Sequence, residues 1–252
     1  QQMVDLEIKS DGRDAMTGFV FAYFGIFLLY FTILFLGSTV ATNVAREKNN
    51  RTMELLITQV SSKALVHGKV RAMTLLAIFE IAVQLLALLL GYLVNRASYP
   101  DYILKIIHAG VTVDIVLLFL LFGITGAIFF FFLFATVGSL VDRVEDVSAA
   151  MAPVMALFLI AFMGTMFSMS NPSSVVLEVF SYLPFTSPFA LITRHLMVTM
   201  QAWEIALSYG ILLLSTLFTA HFAVRIYREG TLSYGGRLSI GQAVKRSYQD
   251  EG

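Results

Sequence analysis

Charged residues leave five long gaps along this chain, and the gaps predict five membrane-spanning helices. Nothing is charged between Asp14 and Arg46, and residues 19–36 are almost wholly apolar, so a first span is expected over about 17–44. Between Arg71 and Arg96 the one charge is Glu80, which gives a second span over about 70–94. Residues 115–141 carry no charge, giving a third span over about 113–140. Residues 147–177 carry none either; a fourth span fits 149–169, before Asn171-Pro172 breaks it. The fifth lies between Glu204 and Arg225, over about 203–227. Each gap meets the roughly 20 apolar residues that a helix needs to cross a bilayer.

The loops between these gaps set the orientation, because Lys and Arg accumulate on the cytoplasmic side. Arg46, Lys48, Arg51, Lys63, Lys69, Arg71, Arg143, Arg225, Arg228, Arg237, Lys245 and Arg246 fall on one side, and Lys9, Arg13, Arg96, Lys105 and Arg194 on the other. Twelve against five places the N-terminus outside and the C-terminus in the cytoplasm, in a multi-pass protein of a plasma membrane, bacterial by expectation. Residues 1–16 are then the end of an extracellular segment, 17–227 the transmembrane domain and 228–252 a cytoplasmic tail close to anionic lipid. The chain begins Gln1-Gln2 with no signal peptide, so an upstream signal or spanning helix is expected.

Composition agrees. Of the 252 residues 58% are hydrophobic and 13% charged, against about 25% charged in a soluble domain. That excludes an ordinary water-soluble enzyme. Zero net charge argues against nucleic acid as a partner. The absence of Cys removes disulfides, thiolate nucleophiles and Cys-type zinc sites. The four His lie at no metal-ligand spacing, so no metal site is expected.

Residues 46–61 break the hydropathy pattern. Met53, Leu56, Ile57 and Val60 stand at i, i+3, i+4 and i+7, one apolar face of a helix too short to span. Arg46, Glu47, Lys48 and Arg51 crowd its start. Such a helix either lies in the interface as a connector or enters a partner's groove.

This stretch resembles the signature of ABC-2 type exporter permeases, and within them the sodium-exporter (NatB-like) branch. Glu47, Lys48, Arg51, Met53, Glu54, Leu55, Leu56, Val60 and Ser61, then Gly68 and Lys69, fall in step with that family's pattern. The resemblance extends to the hydropathy of the whole chain and covers the later five of the usual six spans, as in a fragment lacking the first span and the extracellular segment after it. It implies an all-α polytopic fold of five transmembrane helices, a cytoplasmic coupling helix and two short extracellular re-entrant helices. It also implies a partner, an ABC-type ATPase subunit present in two copies. Met53, Leu56, Ile57 and Val60 are the implied buried anchors, and Glu47, Arg51 and Glu54 the rim charges of that docking. Two permease chains, identical or related, are implied to pair. The implied cargo is sodium or another small cation, or a small amphipathic or peptide substrate.

No nucleotide site is expected in the chain itself. The single Gly-Lys pair, Gly68-Lys69, has Lys63 where a phosphate-binding loop needs Gly and Val70 where it needs Ser or Thr. ATP and magnesium therefore belong to the partner, and this subunit is not expected to be an enzyme.

Residues 172–200 hold Pro172, Pro184 and Pro188 and two apolar runs, 175–183 and 189–200, each too short to span. They read as re-entrant helices or as an amphipathic loop on the outer surface; the resemblance implies helices that dip into the outer leaflet and lid the exit. Arg194 and His195 in the second run are candidates for that exit gate, with Arg194 expected to snorkel toward headgroups. Glu80, with Gln84 one turn on, forms a polar stripe in the second span. The pair is a candidate for the translocation path or, on the blander reading, a packing hydrogen bond. Asp114 reads as a helix-start acid and His108 as an interface residue. Phe129–Phe132 is expected to face lipid or a second protomer, and Asp142, Arg143, Glu145 and Asp146 to form a solvated turn. A non-transporting scaffold bound to the same ATPase would lack cargo-stimulated turnover. A membrane enzyme would need a nucleophile–base pair, and no Gly-x-Ser-x-Gly or His-Glu-x-x-His is present.

Overall fold

The computed structural model describes residues 15–50 and 59–232. Among these, every regular element is helical. Five long helices fill the five apolar stretches: α1 (Ala15–Asn49), α2 (Ser62–Asn95), α4 (Val113–Ser139), α5 (Val147–Ser168) and α8 (Ala202–Leu232). All five are long and apolar enough to cross a membrane. Three short helices join them: α3 (Asp101–Gly110), α6 (Val175–Tyr182) and α7 (Ser187–Met197). The end of α1, the start of α2 and the α4–α5 connection lie at one end of the bundle, here the Lys48 end. The α5–α8 connection, with α6 and α7, lies at the other, the Arg194 end.

Local chemistry sets several boundaries. Ser61 caps α2, its hydroxyl accepting from the Ala64 amide at 3.3 Å, and Ser174 caps α6 by the same bond to Leu177 at 3.3 Å. Pro188 stands in the first turn of α7, where its missing N–H costs nothing. Arg46 and Lys48 occupy the last turn of α1, where cations oppose the negative end of the helix.

α4 is the centre of the bundle. It packs on α1 and α8 most extensively, and on α2, α5 and α7 as well. On α1 the buried positions Ala22, Ile26, Leu29, Ile33, Gly37, Val40 and Val44 recur every three or four residues, a stripe facing α4. Phe129, Phe130, Phe131 and Phe132 are all buried, which corrects the expectation that this run faces lipid or a second protomer. Over this stretch α4 is enclosed by its neighbours, whereas its exposed residues Val113, Leu117 and Leu121 lie nearer its start. Phe158 of α5 is the aromatic hub: it stacks on Tyr30 of α1 at 5.2 Å and meets Phe130 of α4 and Phe189 of α7 edge-on at 4.9 and 5.7 Å.

Close approach comes from small residues, as expected where lipid supplies no hydrophobic drive between helices. A Cβ on Gly138 of α4 would stand 2.5 Å from the Ala41 carbonyl oxygen of α1, and one on Gly18 of α1 would stand 2.6 Å from that of Leu196 in α7. α2 is the most peripheral span. Val66, Val70, Ala77 and Ile81 are its buried residues, and a row from Leu85 to Val94 is exposed.

α7 is no surface loop. Its residues from Ser187 to Thr193 are buried against α1, α4, α5 and α6. α3 is a helix that hydropathy alone passes over. Its half-buried Ile103, Leu104, Ile106 and Ile107 turn inward, while Tyr102, Lys105 and His108 are exposed.

Candidate functional site

Glu80 apart, the charged groups of the described residues gather at the two ends of the bundle. At the Lys48 end, the last turn of α1 sends two side chains in different directions. Glu47 reaches α2, where both its oxygens accept from Lys69 Nζ, at 2.5 and 2.6 Å. Lys48 turns toward α4, and its side chain is 1% exposed. Its ammonium pairs with Asp142 at 2.7 Å and donates to the Ser139 carbonyl at 3.2 Å. That carbonyl is one of the four left over at the C-terminus of α4. Asp142 is therefore not part of a freely solvated turn, as expected from sequence, but an anchor for α1. The reason is that Lys48 has no water to hold its charge and takes this carboxylate instead.

At the Arg194 end, Arg194 of α7 and Glu204 of α8 pair at 2.8 Å, with side chains 11% and 12% exposed. The second carboxylate of this cluster, Glu178 of α6, lies 3.8 Å from the guanidinium. Glu204 Oε1 also accepts from Tyr182, at 3.4 Å, and Oε2 accepts from the Gln201 amide at 2.8 Å. The last bond is half of a capping box, from the third residue of α8 back to its N-cap. Burial disfavours the Arg194 charge, but the hydrogen bonds to Tyr182 and Glu204 outweigh it, and the guanidinium is held above its ordinary pKa. The expectation that Arg194 snorkels to headgroups is thus corrected: α6 and α8 supply its partners inside the protein. Beside it, His195 Nε2 meets Asp114 Oδ2 at 2.9 Å, tying α7 to the first turn of α4.

Glu80 and Gln84 are half-buried on α2, joined by a bond of 3.2 Å from Gln84 Nε2 to Glu80 Oε1. They do not reach either charged cluster. A groove of about 590 Å³ lined by Phe129, Pro184, Leu214, Ser215, Phe218 and Thr219 has no charge in its wall and does not include them. Of the docking residues, Arg51, Met53, Glu54, Leu56 and Ile57 lie outside the described residues. Val60 is 39% exposed. No group of three or more His, Asp or Glu that could hold a metal occurs among the described residues.

Sequence reasoning singled out Arg194, His195 and Glu47, and named Asp114 and Lys69 for other reasons, but it paired none of them. Glu204 served there as the boundary of a span, and Lys48 as a basic residue of the 46–61 signature with no partner assigned. No local pattern marks such pairs, since α7 and α8 are separate elements and 91 residues part Lys48 from Ser139.

The family pattern described as ABC-2 family transporter protein matches residues 2–225 of the chain. The chain belongs to the ABC-2 transporter family. Membership implies a permease subunit of an ABC transporter, and the five long apolar helices accord with a multi-pass member. This ABC-2 chain is 30% identical over 234 residues to the uncharacterized protein YhaP of Bacillus subtilis (strain 168), covering 89% of its own length and 54% of that protein. It is 25% identical over 223 residues to the uncharacterized protein MJ1024 of Methanocaldococcus jannaschii, covering 87% of its own length and 52% of that protein. The chain thus spans about half the length of the curated relatives it matches. No solved structure matches it.

Proposed function

We propose that this chain forms the permease part of an ATP-driven ABC-2 exporter, with its Lys48 end in the cytoplasm. The segment 46–61 docks on a separate ABC-type ATPase that binds ATP and magnesium. Met53, Leu56, Ile57 and Val60 are the apolar anchors, and Glu47, Arg51 and Glu54 the rim. Two permease chains pair, each with one ATPase. The cargo is sodium or another small cation, or a small amphipathic or peptide molecule. On the cation reading Glu80 and Gln84 contribute to the path, while Arg194 and His195 hold the exit closed from α7.

One observation carries the reading. The Glu47–Lys69 bridge joins the last turn of α1 to the second turn of α2. The chain between these helices therefore leaves from and returns to a fixed base. A base of that kind lets a docked partner move two spans together instead of bending a loose loop. The excess of Lys and Arg at the same end supports its cytoplasmic placement.

The test is gentle purification of the full-length native protein from its own membrane, with mass spectrometry of what accompanies it. The expected result is a stoichiometric ATPase subunit, lost in Leu56→Asp without loss of membrane insertion. Wild-type ATPase recovery with Leu56→Asp would sink the docking assignment.

A further inference from the structure

Among the described residues Lys48 is the most deeply buried charge at its end of the bundle, and it is not one of the proposed docking residues. The side chain leaves the last turn of α1 and ends in the space between Ser139, the last residue of α4, and Asp142 in the following turn. Two attractions act on one ammonium there: the Asp142 carboxylate, and the Ser139 carbonyl at the negative end of the α4 dipole. Asp142 is 30% exposed, so water reaches the carboxylate but not the ammonium. Pulling Lys48 away from this site would strand a charge in apolar surroundings, and the contact therefore resists opening. Just above it, Gly138 brings the α4 backbone onto Ala41 of α1, so the two helices have no compliant side-chain layer between them at this level. α4 then runs 27 residues to the other end, about 40 Å at 1.5 Å per residue. There Asp114 in its first turn holds His195 of α7.

We propose that the Lys48–Asp142 pair is the joint through which movement of the α1 end is passed to α4, and so along α4 to α7. Both are positioning residues: they touch neither nucleotide nor cargo. The proposal rests on the docking reading above, which makes the α1 end the place where force enters. An ATPase that displaces α1 carries the α4–α5 turn with it, because the ammonium binds both. α4 is enclosed along its second half, with Val113, Leu117 and Leu121 exposed nearer its start, and it transmits the displacement as a rod. The Asp114–His195 contact delivers it to the helix that lies under the Arg194–Glu204 pair.

The chain contains no Cys, so labels enter a clean background. Spin labels go at the exposed Val113→Cys, at the start of α4, and Val175→Cys, on α6. The native complex with its ATPase is reconstituted in lipid, and the 113–175 distance is read without nucleotide and with ATP plus vanadate. The expected result is a nucleotide-driven shift in the otherwise unaltered protein. Asp142→Asn, which keeps the shape of the side chain, should lose that shift while ATPase association and ATP hydrolysis persist. Lys48→Met should do the same, and Lys48→Asp with Asp142→Lys should restore it. A full shift in Asp142→Asn overturns the joint, and so does ATP hydrolysis by the unaltered complex with no shift at all. Failure of the unaltered protein to bind any ATPase overturns the docking reading, and the joint with it.

Discussion

Arg194 and Glu204 stand on different helices, α7 and α8, yet their side chains meet at 2.8 Å in a site that water barely enters. With the His195–Asp114 contact, the pair is one of two polar ties that hold α7 to the spans. Removing one member of a buried pair costs about 3–5 kcal/mol, because the other is left charged and unpaired. Arg194→Met should therefore lower the unfolding midpoint in detergent strongly. Arg194→Met with Glu204→Leu should be less damaging than Arg194→Met alone. A double variant that is worse than the single would contradict this account of the site.

The Lys48 site predicts an asymmetry. Asp142→Ala leaves the ammonium buried without its carboxylate, a loss of about 3–5 kcal/mol. Lys48→Met removes the buried charge and leaves only the part-exposed Asp142, so its cost should be well below that. Thermal unfolding of the two variants in the same detergent gives the order directly.

Helix contact at glycine is equally specific. Gly138→Val drives its side chain into the Ala41 backbone and should destabilise by about 1–3 kcal/mol as overpacking does. Gly91 on α2 has nothing within 4 Å of a built Cβ, and Gly91→Ala should gain up to about 1 kcal/mol from helix propensity. Size-exclusion profiles after graded heating would separate the two. Equal behaviour would mean that α1 and α4 do not approach as described.

Phe158→Ala opens a cavity where α1, α4, α5 and α7 meet. A loss of about 3–5 kcal/mol is expected. Phe167→Ala, at an exposed position of the same helix, should cost far less.

If the cargo is a cation, Glu80→Gln should abolish stimulation of ATP hydrolysis by sodium in the reconstituted complex at every pH tried. Wild-type stimulation in that variant would remove Glu80 from the path.

The five spans were legible because their signal is one-dimensional: a run without charge is visible wherever it falls. α3 was not, since ten residues with Lys105 and His108 among them make too short a run, and its apolar face emerges only against α1. The burial of Phe129–Phe132 was hidden for a different reason. α4 is apolar all round, so its sequence has no stripe to separate a lipid-facing side from a protein-facing one. The ion pairs were hidden because both partners must be known before either looks unusual. Lys48 reads as one of six cations around residues 46–71, and only the position of α4 sets it apart.

The buried Lys48 also constrains the order in which the protein is made. α1 leaves the ribosome 91 residues before Ser139, and at about 5–20 residues per second the delay is on the order of ten seconds. Through that interval the ammonium has no carboxylate to meet and must stay in water or among lipid headgroups. The end of the first helix is thus completed by chain that has yet to be synthesised when the helix enters the membrane. A nascent chain stalled before Asp142 would carry a lysine open to amine-reactive reagents that the finished protein hides.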